Sequence, residues 1–309
     1  MSGYGESERL LARARDRLVH GDTQGGMVLL KQVLAEDPGH AWAHALLSIC
    51  MIDCKLVRVA RVEAEAAVRA DPELAIARRA MGEVQVAERK LGQAEASFRY
   101  AIELEPENAD LFVRLVALLR MRDRRDEDLL VRALELAPDD PDVLVAAAYD
   151  CFDRRELDRA EGHAREALEE DPEHVDALVA MGWIRLAQGD VADAHAHVRM
   201  AMHADPTDDG ALRLLGSIKA RKNPILGLWW RWSMWMSSFG DERSIAILIA
   251  MFIVYRLATV FAEDMGRDDI AGIIRSVWLA FVAYTWIAPG LWQRMLQRDI
   301  APVELGRDY

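Results

Sequence analysis

The chain has 309 residues and a formal net charge of −13. This length suits one extended repeat domain or two ordinary domains, and the acidity argues against nucleic-acid binding because phosphates would be repelled. The three cysteines are too few, and odd in number, for a disulfide framework. Residues 1–9 lack the basic and apolar pattern of a secretory signal.

Prolines mark a regular repeat along the first two thirds of the chain. Their spacings are 34, 34, 32, 34 and 34 residues, at Pro38, Pro72, Pro106, Pro138, Pro172 and Pro206. Between two of them, residues 75–108 hold apolar residues every three or four positions in two blocks, which predicts two amphipathic helices. The small residues Gly82, Ala94 and Ala101 predict a close approach of these helices, and Phe98 is large enough to fill the space to the next pair.

This unit resembles the tetratricopeptide repeat, a helix–turn–helix of about 34 residues. The small residue of the family's first helix is matched by Gly82, Ala148, Gly182 and Gly216. The two alanines of its second helix are matched by Ala60, Ala94, Ala160 and Ala194, and by Ala67, Ala101, Ala133, Ala167 and Ala201. Six units are indicated, at 7–40, 41–74, 75–108, 109–140, 141–174 and 175–208, with a capping helix near 209–221. The resemblance implies an all-α fold, a right-handed superhelical solenoid over residues 1–222.

The fourth unit departs from this pattern because it is two residues short. The loss falls near residues 121–125. We expect a tighter turn between the two helices of this unit.

The resemblance also implies a binding groove for a partner protein or peptide, lined by the first helix of each repeat. At the matching positions stand Trp42, Ile49, Arg79, Glu83, Val113, Arg120, Tyr149, Phe152, Trp183 and Leu186. These residues are mainly apolar and aromatic, which suits an amphipathic or hydrophobic segment. Packing between repeats is the competing interpretation for each of them.

The groove positions argue against one kind of ligand. Members of the family that bind chaperone tails hold a terminal carboxylate with lysines and asparagines. The matching positions here carry Ala45, Ile49, Arg79, Glu83, Val113 and Ala117. We therefore do not expect binding of an Hsp90 or Hsp70 tail.

Motifs of catalysis and metal binding are missing from the sequence. It has no glycine-rich phosphate loop, no nucleophile elbow and no metal-ligand signature. Cys50 and Cys54 lie four apart, but small apolar fillers explain them better than a redox pair. We expect no enzyme activity, no cofactor and no metal.

Tryptophans cluster after Asn223, where a new helix is predicted to begin. A short apolar segment there, residues 225–239, is too short to span a bilayer. It is interpreted as a helix lying at a membrane interface within a linker, residues 223–243; packing on the end of the solenoid is the alternative. The interfacial residues would be Trp229, Trp230, Trp232 and Trp235.

Two longer apolar segments, Ser244–Ala262 and Ile270–Trp292, are separated by a short acidic loop. They predict a hairpin of two transmembrane helices in a C-terminal region at 244–309, with lipid contact along residues 225–292. Basic residues flank the hairpin ends, which would leave the repeats on the cytoplasmic side of a bacterial inner membrane.

Each predicted span contains one arginine, Arg256 or Arg275, which counts against spanning. These arginines could reach outward to the acids of the loop, or make contacts within a homo-oligomer. Three functions stay open: a membrane-anchored scaffold for protein partners; a soluble adaptor whose C-terminal helices mediate oligomerisation or docking; and an effector that inserts into membranes.

Overall fold

The computed structural model describes residues 3–222, 232, 241–265 and 267–304. These residues form helices joined by turns, with no strand among them. The helices are α1 (Gly3–Val19), α2 (Thr23–Glu36), α3 (Ala41–Asp53), α4 (Val57–Ala70), α5 (Ala75–Ala87), α6 (Leu91–Leu104), α7 (Ala109–Met121), α8 (Glu127–Leu136), α9 (Pro141–Asp153), α10 (Leu157–Glu170), α11 (Val175–Gln188), α12 (Val191–Ala204), α13 (Asp209–Lys222), α14 (Asp241–Asp264) and α15 (Asp268–Glu304). The all-α class predicted from the sequence is confirmed.

Each repeat is a pair of helices that pack closely because small residues stand between them. The matched alanines of the second helices, from Ala60 to Ala201, have no exposed surface. Gly82 on α5 lies against the ring of Phe98 on α6, and a Cβ atom at this glycine would stand 2.6 Å from Cε1 of that ring. Phe98 is itself 2% exposed. Size complementarity of this kind gives interiors their high packing density.

The fourth repeat is shortened in its second helix, and the predicted tightening of its turn is wrong. Helix α8 has 10 residues where α4, α6 and α10 have 14. The turn before it, residues 122–126, is longer than residues 54–56 of the second repeat. Deleting residues near a helix start therefore removed helical turn and left more loop, since the first helix keeps its full length.

The turns inside the repeats require one residue in the left-handed region. Glycine occupies it in the first and sixth repeats, as Gly21 with φ 77° and Gly189 with φ 95°. In the four repeats between them the residue is Lys55, Arg89, Asp123 or Arg155, each with φ between 53° and 64°. Left-handed backbone costs a residue with a Cβ atom about 1 kcal/mol, so these four turns carry local strain.

A ladder of polar contacts ties neighbouring repeats together at a spacing of 27 residues. Arg61 donates to Glu88 at 3.5 Å, Arg122 donates to Glu95, and further along Gln188 donates to Glu161 at 2.9 Å. Each rung joins the start of one second helix to the end of the following first helix. The repeated spacing keeps the register between repeats constant.

The structure divides into two compact units, residues 1–150 and 151–309. The first holds α1 to α8 and most of α9, and the second holds the rest. In the second unit α14 and α15 pack on each other, with Tyr255 stacked on Trp278 at 4.7 Å between ring centroids. The predicted borders at residues 222 and 243 differ from this division and stay a prediction.

Candidate partner-binding surface

An ion-pair network crosses from α5 to α7 in the first unit. Arg79 contacts Glu83 one turn along its own helix at 3.0 Å and reaches Asp110 of α7 at 3.1 Å. Arg114 contacts Asp110 at 3.1 Å and approaches Glu83 at 3.9 Å. The four side chains form a closed square of alternating charge, which holds the two first helices side by side.

The carboxylate of Asp53, at the end of α3, borders this network. Its surface is open to solvent, yet neighbouring atoms crowd it, and this partial desolvation raises its pKa above the ordinary 3.8. The charge of Glu83 raises the pKa further, while Arg114 and Arg79 oppose it. The surface around the two arginines therefore holds more acid than they neutralise.

An acidic cleft adjoins the network through Asp110. It has a volume of about 680 Å³ and lies between the turn preceding α7 and the end of α8. Its wall carries the carboxylates of Glu105, Glu107, Asp110 and Asp140 beside Pro106 and Leu136. A cleft with these walls attracts basic groups and offers some apolar contact.

Predicted groove residues of the first unit flank the network on the same set of helices. Trp42 of α3 is half-buried, with the guanidinium of Arg15 lying 5.4 Å from its ring centroid. Ile49 and Val113 are half-buried and keep part of their surface open. Arg120 is exposed and stacks over Tyr149 of α9 at 4.3 Å, a cation–π contact that holds the ring in place.

In the second unit the predicted groove residues are more buried. Phe152 and Trp183 are half-buried, and Trp183 packs on the core of α11 to α13. Leu186 is only 6% exposed within that core, so its side chain offers almost no surface to a partner. Arg221 covers this end of α11 by donating to the Leu186 carbonyl at 2.7 Å.

Comparisons with known proteins agree with this architecture. Residues 18–83 and 151–218 match the family model described as tetratricopeptide repeat. The repeats of this chain are tetratricopeptide repeats. No curated protein matches the chain.

Several solved structures share the tetratricopeptide-repeat fold with this chain. A thermophilic tetratricopeptide-repeat protein of Thermus thermophilus is 22% identical with a TM-score of 0.53, covering 58% of this chain and 99% of that one. PilF of Pseudomonas aeruginosa is 17% identical with a TM-score of 0.50, over 70% and 100% of the two chains. PilW, a type IV pilus biogenesis factor, is 16% identical with a TM-score of 0.51, over 68% and 98%. At these identities the likeness establishes the fold alone.

Three charged residues at this surface were missed in the reading of the sequence: Asp53, Asp110 and Arg114. A signal for two of them was present. Arg79 and Glu83 are an i,i+4 pair in one tetratricopeptide repeat, and Asp110 and Arg114 are such a pair in reverse order in the next. Reversed pairs on adjacent first helices can neutralise each other across the helix contact as well as along each helix.

The predicted membrane location, with cytoplasmic repeats at a bacterial inner membrane, is contradicted. Across residues 241–265 and 267–304, as across the described repeats, no helix combines the length and apolarity needed to cross a bilayer. The arginines that interrupt the two predicted spans are both exposed. Arg275 pairs with Glu263, so it reaches the loop acids as anticipated.

The predicted interfacial tryptophans fall largely outside the described residues. Trp229, Trp230 and Trp235 lie there. Trp232 is half-buried and meets Phe281 of α15 edge to face, with 5.9 Å between ring centroids.

The cysteines behave as packing residues where the structure describes them. Cys50 is 3% exposed, and burial, aided by the charge of Asp53, raises the pKa of its thiol to about 12. A thiol that stays protonated is a poor nucleophile and a poor metal ligand. Within the described residues, no cluster of three or more metal-ligating side chains occurs.

Proposed function

We propose that the chain is a protein-interaction scaffold that holds an amphipathic segment of a partner protein along its first helices. Tetratricopeptide-repeat proteins generally mediate protein–protein interaction, and typically act as scaffolds without catalysis of their own. The present chain takes the same role in this proposal, with α3, α5, α7 and α9 supplying the binding surface.

The observation that carries the proposal is the ion-pair network of α5 and α7 with its apolar flanks. Arg79, Glu83, Asp110 and Arg114 present alternating charge at one place on the first helices. Trp42, Val113 and Tyr149 stand around it with surface still open. An amphipathic segment fits such a surface, because its apolar side covers the flanks while its polar side meets the charges.

The charge of this surface supports a basic partner. The chain carries a net charge of −13, and the cleft beside Asp110 is walled by carboxylates. Complementary potentials steer encounter and exclude wrong partners. The partner segment therefore carries lysine or arginine on its polar side, and a free terminal carboxylate is not its anchor.

Site-specific photo-crosslinking tests the proposal. A photoreactive amino acid replaces Val113 on the proposed surface, and a matched variant carries it at Val62, an exposed position on the second helix α4. We expect a partner to crosslink in cells from position 113 and not from position 62. Tyr149→Ala should abolish that crosslink while leaving the helical circular dichroism unchanged.

Two results would reject the proposal. One is equal crosslinking from both positions, which would indicate contact without a defined surface. The other is a crosslink from position 113 that Tyr149→Ala leaves untouched, since the flanking ring would then contribute nothing to binding.

A further inference from the structure

The C-terminal helices expose an unusual amount of apolar surface. Eleven large apolar side chains on α14 and α15 are at least half exposed: Ile249, Phe252, Ile253, Val254, Leu257, Val260, Phe261, Ile273, Val277, Leu279 and Ile287. We call this set the apolar face. A fully exposed set of this size is rarely left uncovered in a monomeric protein.

A continuous stripe runs along α14 through the apolar face. Ile249, Ile253, Leu257 and Val260 follow one another at helical spacing, so their side chains share one side of the helix. Thr259 and Ala262, on the other side, are 1% and 7% exposed. Helix α14 thus has one covered side and one open side of similar apolar character.

The open area is large enough for a stable interface. Side chains of this size that are half to two thirds exposed show roughly 100 Å² each, so the apolar face offers on the order of 1,000 Å². A standard protein interface buries about 800 Å² on each partner. The apolar face alone therefore meets the area that a dimer requires.

Charge gives the stripe a direction. Arg256 is exposed in the middle of the stripe, and among the described residues no acid pairs with it. Asp264 lies two turns further along the same side and is exposed as well. Arg275 differs, because Glu263 of its own chain already neutralises it.

We propose that a second copy of this chain covers the apolar face, with the two α14 helices packed antiparallel about a two-fold axis between Arg256 and Val260. In a two-fold interface each contact occurs twice with the partners exchanged. Arg256 of one protomer then faces the partner's Asp264, and its own Asp264 faces the partner's Arg256. The apolar residues of the stripe fill the space between these two ion pairs.

Two other arrangements fit the charges less well. A parallel pair of α14 helices would set Arg256 beside its own copy, and like charges at an interface repel. Hydrocarbon would leave the guanidinium of Arg256 without any counter-charge at the centre of the face. The antiparallel copy satisfies area and charge together.

Sedimentation velocity of the full chain over a range of concentrations tests this dimer. The unchanged chain should sediment as a dimer, and Leu257→Asp should weaken association roughly tenfold or more, because it buries a charge at the centre of the stripe. Val62→Asp, at a position 58% exposed on α4, is the matched control and should remain a dimer. Circular dichroism of each variant checks that the helices persist.

A charge exchange separates the proposed register from general stickiness. Arg256→Asp alone should weaken the dimer because it sets two carboxylates face to face. Adding Asp264→Arg to the same chain should restore it, since both reciprocal pairs re-form with opposite polarity. Failure of the double variant to recover would overturn the antiparallel register.

Vesicle flotation completes the test. The unchanged chain is mixed with phosphatidylcholine vesicles and floated on a density gradient. We expect the dimer to stay at the bottom. A chain that is monomeric at every concentration, or that floats with the vesicles and loses flotation on Leu257→Asp, would overturn the proposal.

Discussion

The tetratricopeptide repeats and the two C-terminal helices are both rich in apolar residues, yet they treat them in opposite ways. In the repeats the buried positions are mostly small, and Phe98 is 2% exposed against a glycine. On α14, Phe252 and Phe261 are 50% and 66% exposed. An apolar sequence therefore predicts a helix, but burial also needs a facing surface of complementary size.

The largest expected difference between the two regions comes from removing a phenylalanine ring in each. Phe98→Ala should destabilise the chain by about 3–5 kcal/mol, because it opens a cavity between α5 and α6. Phe261→Ala should change stability by less than about 0.5 kcal/mol, since the ring already stands in solvent. Denaturant unfolding at low protein concentration measures both. Equal losses would mean that the ring of Phe261 is covered within one chain.

Glycine positions sharpen the same comparison. Gly82→Ala should cost about 1–2 kcal/mol, because the new Cβ would stand 2.6 Å from the Phe98 ring and overpacking outweighs the gain in helix propensity. Gly272→Ala should stabilise by about 0.5–1 kcal/mol, since nothing lies within 4 Å of the position a Cβ would take. Thermal unfolding of the two variants gives the opposite signs. A stabilised Gly82→Ala would show that the repeat interior has room to spare.

Two carboxylates of the repeats should show opposite dependence on pH. The pKa of Glu161 is lowered, first by the hydrogen bond from Gln188 and then by Arg185 and Arg165, so its ionised form stabilises the fold. Glu161→Gln should cost about 1 kcal/mol at neutral pH. The loss should fade as the pH drops through the unfolded value of 4.5.

Asp53 has the reverse sign because its pKa is raised. Asp53→Asn should stabilise by a few tenths of a kcal/mol at neutral pH. That gain should vanish below the unfolded value of 3.8, where aspartate is protonated in both states. Unfolding measured against pH follows both variants, and parallel profiles for the two would contradict the assigned causes.

The smallest expected effects come from the turns. Arg89→Gly should stabilise by about 0.5 kcal/mol, since glycine relieves the left-handed strain but adds freedom to the unfolded chain. Gly189→Ala should destabilise by about 1 kcal/mol, because φ there is 95°. Chemical unfolding of both variants would show opposite shifts. A destabilised Arg89→Gly would place another interaction on that arginine.

Much of the repeat architecture could be predicted because proline and alanine act locally. A proline ends each second helix by its own geometry, and alanine at Ala94 or Ala160 is small wherever two helices meet. The helices predicted for residues 75–108 are present as α5 and α6. Such rules hold in the absence of any knowledge of distant contacts.

The parts that could not be predicted depend on contacts across helices. A spacing of 32 residues shows that two residues are missing, but it does not show that α8 shortens while the turn grows. The square of charges on α5 and α7 needs the facing of two helices as well as the residue types. The predicted groove is still untested as a binding site, since burial removes Leu186 from the surface without revealing a ligand.

The ladder between repeats also determines the order in which the repeats can stand. Its rungs differ in polarity, because Arg61 meets Glu88 while Glu95 meets Arg122. If the third repeat, residues 75–108, were removed by an in-frame deletion, the position opposite Arg61 would be taken by Arg122. Two guanidinium groups would then confront each other at the new junction. These repeats are thus similar in fold without being interchangeable, and gain or loss of a whole unit would require a compensating charge at the seam.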